Sequence, residues 1–141
     1  MNKLTIDLVK DLHHQIRCAI DLENKKPKAI KNFTQAQIMF YLINNDGKTI
    51  YQKDIGDALK LKKSSITEHL DYLEMIGAIE RVKDLNDKRK NSIRLSSKAK
   101  NRKHEIDDII KNLNDRAIKG ISKEELRNFE ETIKKMEDNL R

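Results

Sequence analysis

The sequence predicts a mainly α-helical fold with one small β-hairpin, and three observations carry that expectation. Helix breakers are scarce, with one Pro and four Gly in 141 residues. Apolar residues recur at helical spacing through long stretches on both sides of the centre. Around residue 93 the period falls to two, with Ile93 and Leu95 on one face and Ser92 and Arg94 on the other. The length fits one compact domain. Apolar content is low at 37% against 38% charged. That balance suits amphipathic helices whose remaining apolar stripe is covered by a partner.

Taken in order, Thr5 to Lys25 reads as a first helix with Leu8, Leu12, Ile16, Ala19 and Ile20 on one stripe and Val9 at its edge. A loop follows over 23–32, carrying Pro27. Thr34 is the expected N-cap of a second helix, with Gln37 completing a capping box and Phe33 stapling against Ile38. Ile38, Tyr41 and Leu42 bury that helix, and Asn45-Asp46-Gly47 turns the chain. Thr49-Ile50-Tyr51 is a candidate short strand.

The central stretch from Asp54 to Leu95 organises the rest. A helix with Ile55, Ala58 and Leu59 inward is followed by a turn and a second helix with Ile66, Leu70 and Leu73 inward. Gly77 ends that second helix by supplying a left-handed C′ residue. Ser64, Glu68, Asp71, Tyr72 and Met75 lie opposite its apolar stripe, flanked by Ser65 and Thr67. The hairpin then closes at a tip bearing Lys88, Arg89 and Lys90. A helix anchored on one face, with short polar residues near its N-terminus, can enter a DNA major groove. Helix, turn, helix and ribbon together make a winged helix-turn-helix.

After the ribbon, Ser97 to Lys119 reads as one long helix with Ala99, Ile106, Ile110, Leu113 and Ala117 on one stripe, broken by Gly120. Ser122 caps the last helix, with Glu125 at N3 and Ile121 stapling against Leu126. Leu126, Phe129, Ile133, Met136 and Leu140 alternate three and four residues apart, the spacing of a helix–helix seam. With little else to cover the terminal helices, a homodimer is expected. Its interface would use Leu8, Leu12, Ile110, Leu113, Leu126, Phe129, Ile133 and Met136.

Charge is concentrated. From Arg81 to Lys103 ten basic residues face two acidic ones, a net of +8, which leaves −1 for the rest of a chain whose total is +7. Such a concentration points to a polyanion footprint. Arg89 at the ribbon tip is suited to a minor groove, with Lys88 and Lys90 on flanking phosphates.

FTQAQ at 33–37, KKSSIT at 62–67, LDYLEMIGAIER at 70–81 and DKR…IRLSSKA over 87–99 resemble the MarR family of bacterial transcriptional regulators, and the resemblance covers 33 to 100. It implies a winged helix-turn-helix over about 33–96 with dimerisation helices at about 4–25 and 97–140. It also implies a homodimeric repressor of a palindromic double-stranded DNA operator, relieved by a small-molecule effector. The DNA contacts would come from Lys62, Lys63, Ser64, Ser65, Thr67, Glu68, Lys88, Arg89 and Lys90. Similarity to the family's wing Asp-x-Arg gives Asp87 the task of orienting Arg81 or Arg89.

Two positions depart from the family pattern. Lys62 stands where Ser or Thr commonly caps, so Ser64 is the expected cap instead, shifting the helix start by a residue or two. Glu68 stands where Arg is common. It either accepts from cytosine N4 or pairs with a basic neighbour.

Other chemistry has weaker support. Cys18 invites a redox-sensor reading, but it lies later along the first helix than the sensing cysteine of such relatives. Gln35 also stands where an assisting tyrosine would be, so a structural thiol is the preferred reading. His14 with Cys18, and His104 with Asp108, are i, i+4 pairs that offer two metal ligands each. Neither makes a set, and no cofactor is expected. There is no Gly-rich phosphate loop, HExxH or nucleophile setting, so the chain is not expected to be an enzyme. One cysteine, no apolar run of about 18 residues and no signal-like N-terminus make a cytoplasmic protein the expectation, with no membrane partner. A protein-interaction module, or a metal- or redox-sensing regulator, is the alternative to a ligand-relieved repressor.

Overall fold

A computed structural model describes residues 2–23 and 30–141. Among them, seven helices surround a three-stranded antiparallel sheet of order β1-β3-β2. The expected end of the first helix at Lys25, and most of the loop with Pro27, lie outside the described residues.

α1 (Thr5–Glu23) opens with the Asp7 carboxylate accepting the Leu4 N–H at 3.0 Å. The expected stripe divides along its length. Ile20 is buried and Ile16 and Ala19 pack on the core, whereas Leu8, Val9 and Leu12 are exposed. α2 (Phe33–Asn44) starts earlier than its capping box implied. Asn32 is the N-cap, its Oδ1 accepting the Gln35 N–H at 2.9 Å, and Gln35 Oε1 accepts the Lys31 N–H at 2.8 Å. Thr34 is therefore already inside the helix and Phe33 is its first residue. An extended Asn before the helix outcompetes a Thr two residues later, because a cap must itself be non-helical.

Gly47, at φ +87°, turns the chain into β1 (Ile50–Tyr51), the short strand expected here. α3 (Gln52–Leu59) and α4 (Lys63–Met75) form the helix-turn-helix. Ile55 is buried as expected, but Ala58 is exposed and Gly56 takes the second inward position. A Cβ on Gly56 would lie 2.7 Å from Ile66 Cδ1, so glycine is what lets the two helices approach. α4 ends in a Schellman motif. Gly77, at φ +77°, donates to the Glu74 carbonyl at 3.0 Å, and Ala78 donates to that of Leu73 at 2.9 Å.

β2 (Ile79–Lys83) and β3 (Asn91–Leu95) pair from Ile79↔Leu95 to Lys83↔Asn91, and β1 joins the other edge of β3. Ile93 and Leu95 face the core and Arg94 faces out, as the alternation required. Ser96 then locks the sheet to the next helix, donating to the Gly77 carbonyl at 2.6 Å and accepting the Ala99 N–H at 3.1 Å.

The helix expected over 97–119 is two helices. α5 (Ser97–Lys100) and α6 (Lys103–Ala117) are separated at Asn101 and Arg102, where Arg102 N–H bonds three residues back to Ala99. The break lets Ala99 pack beside the sheet while Ile106 and Leu113 pack into the core. Ala117, placed on the same stripe, is exposed. Gly120 (φ +78°) leads into α7 (Lys123–Leu140), whose N-cap is Ser122, accepting the Glu125 N–H at 3.1 Å.

α7 buries no residue within the chain. Leu126, Ile133 and Met136 are half-buried, and Phe129 is exposed. Leu113, expected at the dimer interface, is instead buried in the protomer's own core, and Ile110 packs against that core.

Candidate nucleic-acid interface

α4 is held by Ile66, Leu70 and Leu73, so its opposite face is free to meet a partner. Lys63 begins the helix, and Lys62 occupies the N-cap without a side-chain hydrogen bond. Ser64 lies in the first turn and does not take over the capping. Lys62, Lys63, Ser64, Thr67 and Glu68 are exposed and Ser65 is half-buried. Glu68 makes no ion pair among the described residues. Tyr72 leaves the outward face: it is half-buried, and the Lys31 ammonium stands 5.3 Å from its ring centroid.

Thr67 is the organised member of this face. Its hydroxyl donates to the Lys63 carbonyl at 2.9 Å and accepts from Gln52 Nε2, on α3, at 2.8 Å. Sequence reading did not find Gln52. It is fifteen residues from Thr67, and no local pattern marks a side chain that crosses between helices.

The ribbon tip is braced by two aspartates. Asp87 Oδ1 accepts the Arg89 N–H at 3.0 Å and Arg89 Nε at 3.3 Å. Of the two arginines proposed for Asp87, Arg89 is the one it meets. Arg81 turns away to Asp71 at 2.7 Å and Glu74 at 3.4 Å, tying β2 to α4. Asp84 accepts the Asn86 N–H at 2.9 Å and the Tyr51 hydroxyl at 2.6 Å, and the Lys90 ammonium stands 5.5 Å from the Tyr51 ring centroid. The Arg89 side chain remains 91% exposed. This brace too escaped the sequence, because Tyr51 and Asp84 meet only once β1 is paired with β3.

Between the tip and the α3–α4 turn lies an open cleft of about 650 Å³. Lys53, Lys63, Arg89 and Lys90 line it against Asp54 and Asp57. Cations drawn from three elements thus converge where the sequence showed only separate charges.

The Tyr51 hydroxyl, then the Asn86 N–H, hold the Asp84 carboxyl below its ordinary range, and the same Asp84 bond pushes the Tyr51 phenol up. Because the folded Asp84 value is depressed, its contribution to wing stability is present above the ordinary carboxylate range. It is lost as pH falls through the lowered value. Tyr51→Phe is expected to move the Asp84 titration back up toward 3.8, read from its carboxyl carbon by NMR. An unchanged titration would remove Tyr51 from the brace.

His69, on α4, lies with Nδ1 3.4 Å from Gln35 Nε2, and burial pushes its imidazole down. It joins α4 to α2 behind the exposed face. Cys18 Sγ is 3.5 Å from His14 Nε2 and half-buried. Among the described residues no three His, Cys, Asp or Glu side chains are grouped to hold a metal ion.

The MarR family model matches residues 32–90, the span that holds α2, the helix-turn-helix and the braced ribbon. Over that span the chain is similar to the MarR family. Its fold agrees with several solved structures over nearly the whole length. MepR of S. aureus in complex with DNA is 20% identical, with 98% of this chain and 99% of that one covered at a TM-score of 0.88. The transcription regulator MarR from Oenococcus oeni is 26% identical over 94% and 97%, at 0.74. A SlyA-like transcription regulator from Listeria monocytogenes is 19% identical over 99% and 90%, at 0.80. The family match over 32–90 agrees with the resemblance read from the four motifs, and the winged helix is the fold they implied. No described helix is long and apolar enough to cross a membrane.

Proposed function

We propose that this MarR-like chain is a sequence-specific regulator of transcription that binds double-stranded DNA as a homodimer. The observation that carries the reading is the braced wing. Arg89 is held at its backbone and Nε by Asp87 yet leaves its guanidinium exposed, beside a cleft of cations that continues onto the N-terminal turn of α4. A preorganised cation on a narrow ribbon loses little freedom on entering a minor groove. Ser64, Ser65, Thr67 and Glu68 would then meet major-groove edges, with Lys62, Lys63, Lys88 and Lys90 on phosphates. The fold shared with MepR, which has been captured with DNA, supports the same use of these elements.

Homodimerisation is supported by the apolar side chains that the protomer leaves uncovered: Leu4, Ile6, Leu8 and Leu12 on or beside α1, and Phe129 and Leu140 on α7. Two copies related by a two-fold axis would address a palindromic operator. Repression relieved by a small-molecule effector, in a cytoplasmic setting, is what the MarR resemblance implies, and it completes the reading.

Salt tests it. Binding to an operator duplex should weaken linearly on a log–log scale, with a slope near −0.9 for each phosphate neutralised. The duplex itself comes from selection out of a random pool. A selected partner whose affinity ignores salt would return the domain to a protein-interaction role.

A further inference from the structure

Thr67 sits on the exposed face of α4 with a hydroxyl whose bonds are already assigned. A threonine hydroxyl has one proton and two lone pairs. The Lys63 carbonyl, 2.9 Å away, can only accept, so the proton goes there. The Gln52 contact at 2.8 Å must then be an amide N–H donating into one lone pair, which also fixes the orientation of the Gln52 amide. One lone pair is left over on the exposed Thr67. Gln52 itself lines the cleft below the wing, so both ends of this relay lie on the same surface.

We infer that Gln52 is a specificity-positioning residue: it locks Thr67 as a hydrogen-bond acceptor, so that the base facing Thr67 must present a donor. The inference rests on the DNA-binding reading and deepens it. In the major groove the donors are the adenine N6 and cytosine N4 amino groups, whereas guanine and thymine present O6, N7 and O4 acceptors. A free hydroxyl would serve either kind of edge by rotating its proton. A hydroxyl clamped between Lys63 and Gln52 discriminates.

The test is selection of bound duplexes from a random pool by wild type, Thr67→Val and Gln52→Leu, followed by competition over single-base operator variants. Thr67→Val keeps the shape and removes the hydroxyl, so the position at which it loses discrimination is the one Thr67 reads. There, wild type should favour adenine or cytosine by roughly fivefold or more, the low end for a mismatched pair. Gln52→Leu should collapse that ratio toward one, and leave the ranking at the other operator positions as it was.

A purely structural role for Gln52 would weaken all duplexes equally and keep the ratio, which would overturn the inference. So would a wild-type preference for guanine or thymine there, or a Thr67→Val protein that changes no position. If wild type selects no duplex at all, DNA binding itself fails and the inference goes with it, an outcome distinct from the other three.

Discussion

Replacing Leu12 or Phe129 by Asp is expected to leave a folded monomer whose operator affinity has fallen by about 10²–10⁴-fold. Both side chains are largely exposed in the protomer, at 46% and 53%, so neither change disturbs its core. In a dimer, each would place a carboxylate in apolar surroundings without a partner, which is strongly unfavourable. A protomer that reaches its half-site alone loses the effective concentration supplied by its twin, and that loss sets the size of the effect. Sedimentation velocity at micromolar concentration reads the assembly, and titration of the operator duplex reads the affinity. Leu113→Asp provides the contrast. Leu113 is buried among the protomer's own residues, so this change should unfold the chain instead of dividing a dimer. A wild-type protein that sediments as a monomer would overturn the homodimer.

Arg89→Ala is expected to weaken operator binding by about 1–3 kcal/mol, the loss of one arginine contact. The base preferences at the centre of each half-site should survive. The reason lies in the division of labour between the two grooves. A guanidinium at a wing tip responds to groove width and negative potential, which are strongest over A·T-rich steps. It therefore contributes affinity and a flanking preference, while α4 reads base edges. Competition over operator variants altered at the flanks or at the centre separates the two. Asp87→Ala should produce a smaller loss in the same direction, because it frees the Arg89 backbone and Nε without removing the cation. Full affinity in Arg89→Ala would leave the wing an ordinary charged hairpin.

Much of the architecture was written in local patterns. Helical spacing located α4 and its inward Ile66, Leu70 and Leu73; the period of two located β3; and single residues with special roles, Gly77, Gly120 and Ser122, marked ends and starts. These signals are legible because each is decided within about one turn of chain: a stripe needs only its own repeat, and a left-handed residue only its own missing side chain. The concentration of positive charge between Arg81 and Lys103 was legible for a similar reason, since net charge needs no geometry.

Other features depended on contacts between segments far apart in the chain. The true cap of α2 is Asn32 and not Thr34, because the residue left extended is chosen by how the preceding segment enters the core. Helices α5 and α6 part at Asn101 because Ala99 and Ile106 must pack in different places. Gly56 carries no local signal of its role as the crossing point with Ile66. The alternatives for Asp87 and Arg81 were resolved only when α4 brought Asp71 within 2.7 Å of Arg81. The bonds from Tyr51 to Asp84 and from Gln52 to Thr67 span 33 and 15 residues. Local sequence determined most of the helices, the ribbon and the resemblance to the MarR family. Tertiary structure decided which polar side chains meet, because a hydrogen bond requires atoms within about 3 Å and only the packed core sets such distances between separate elements.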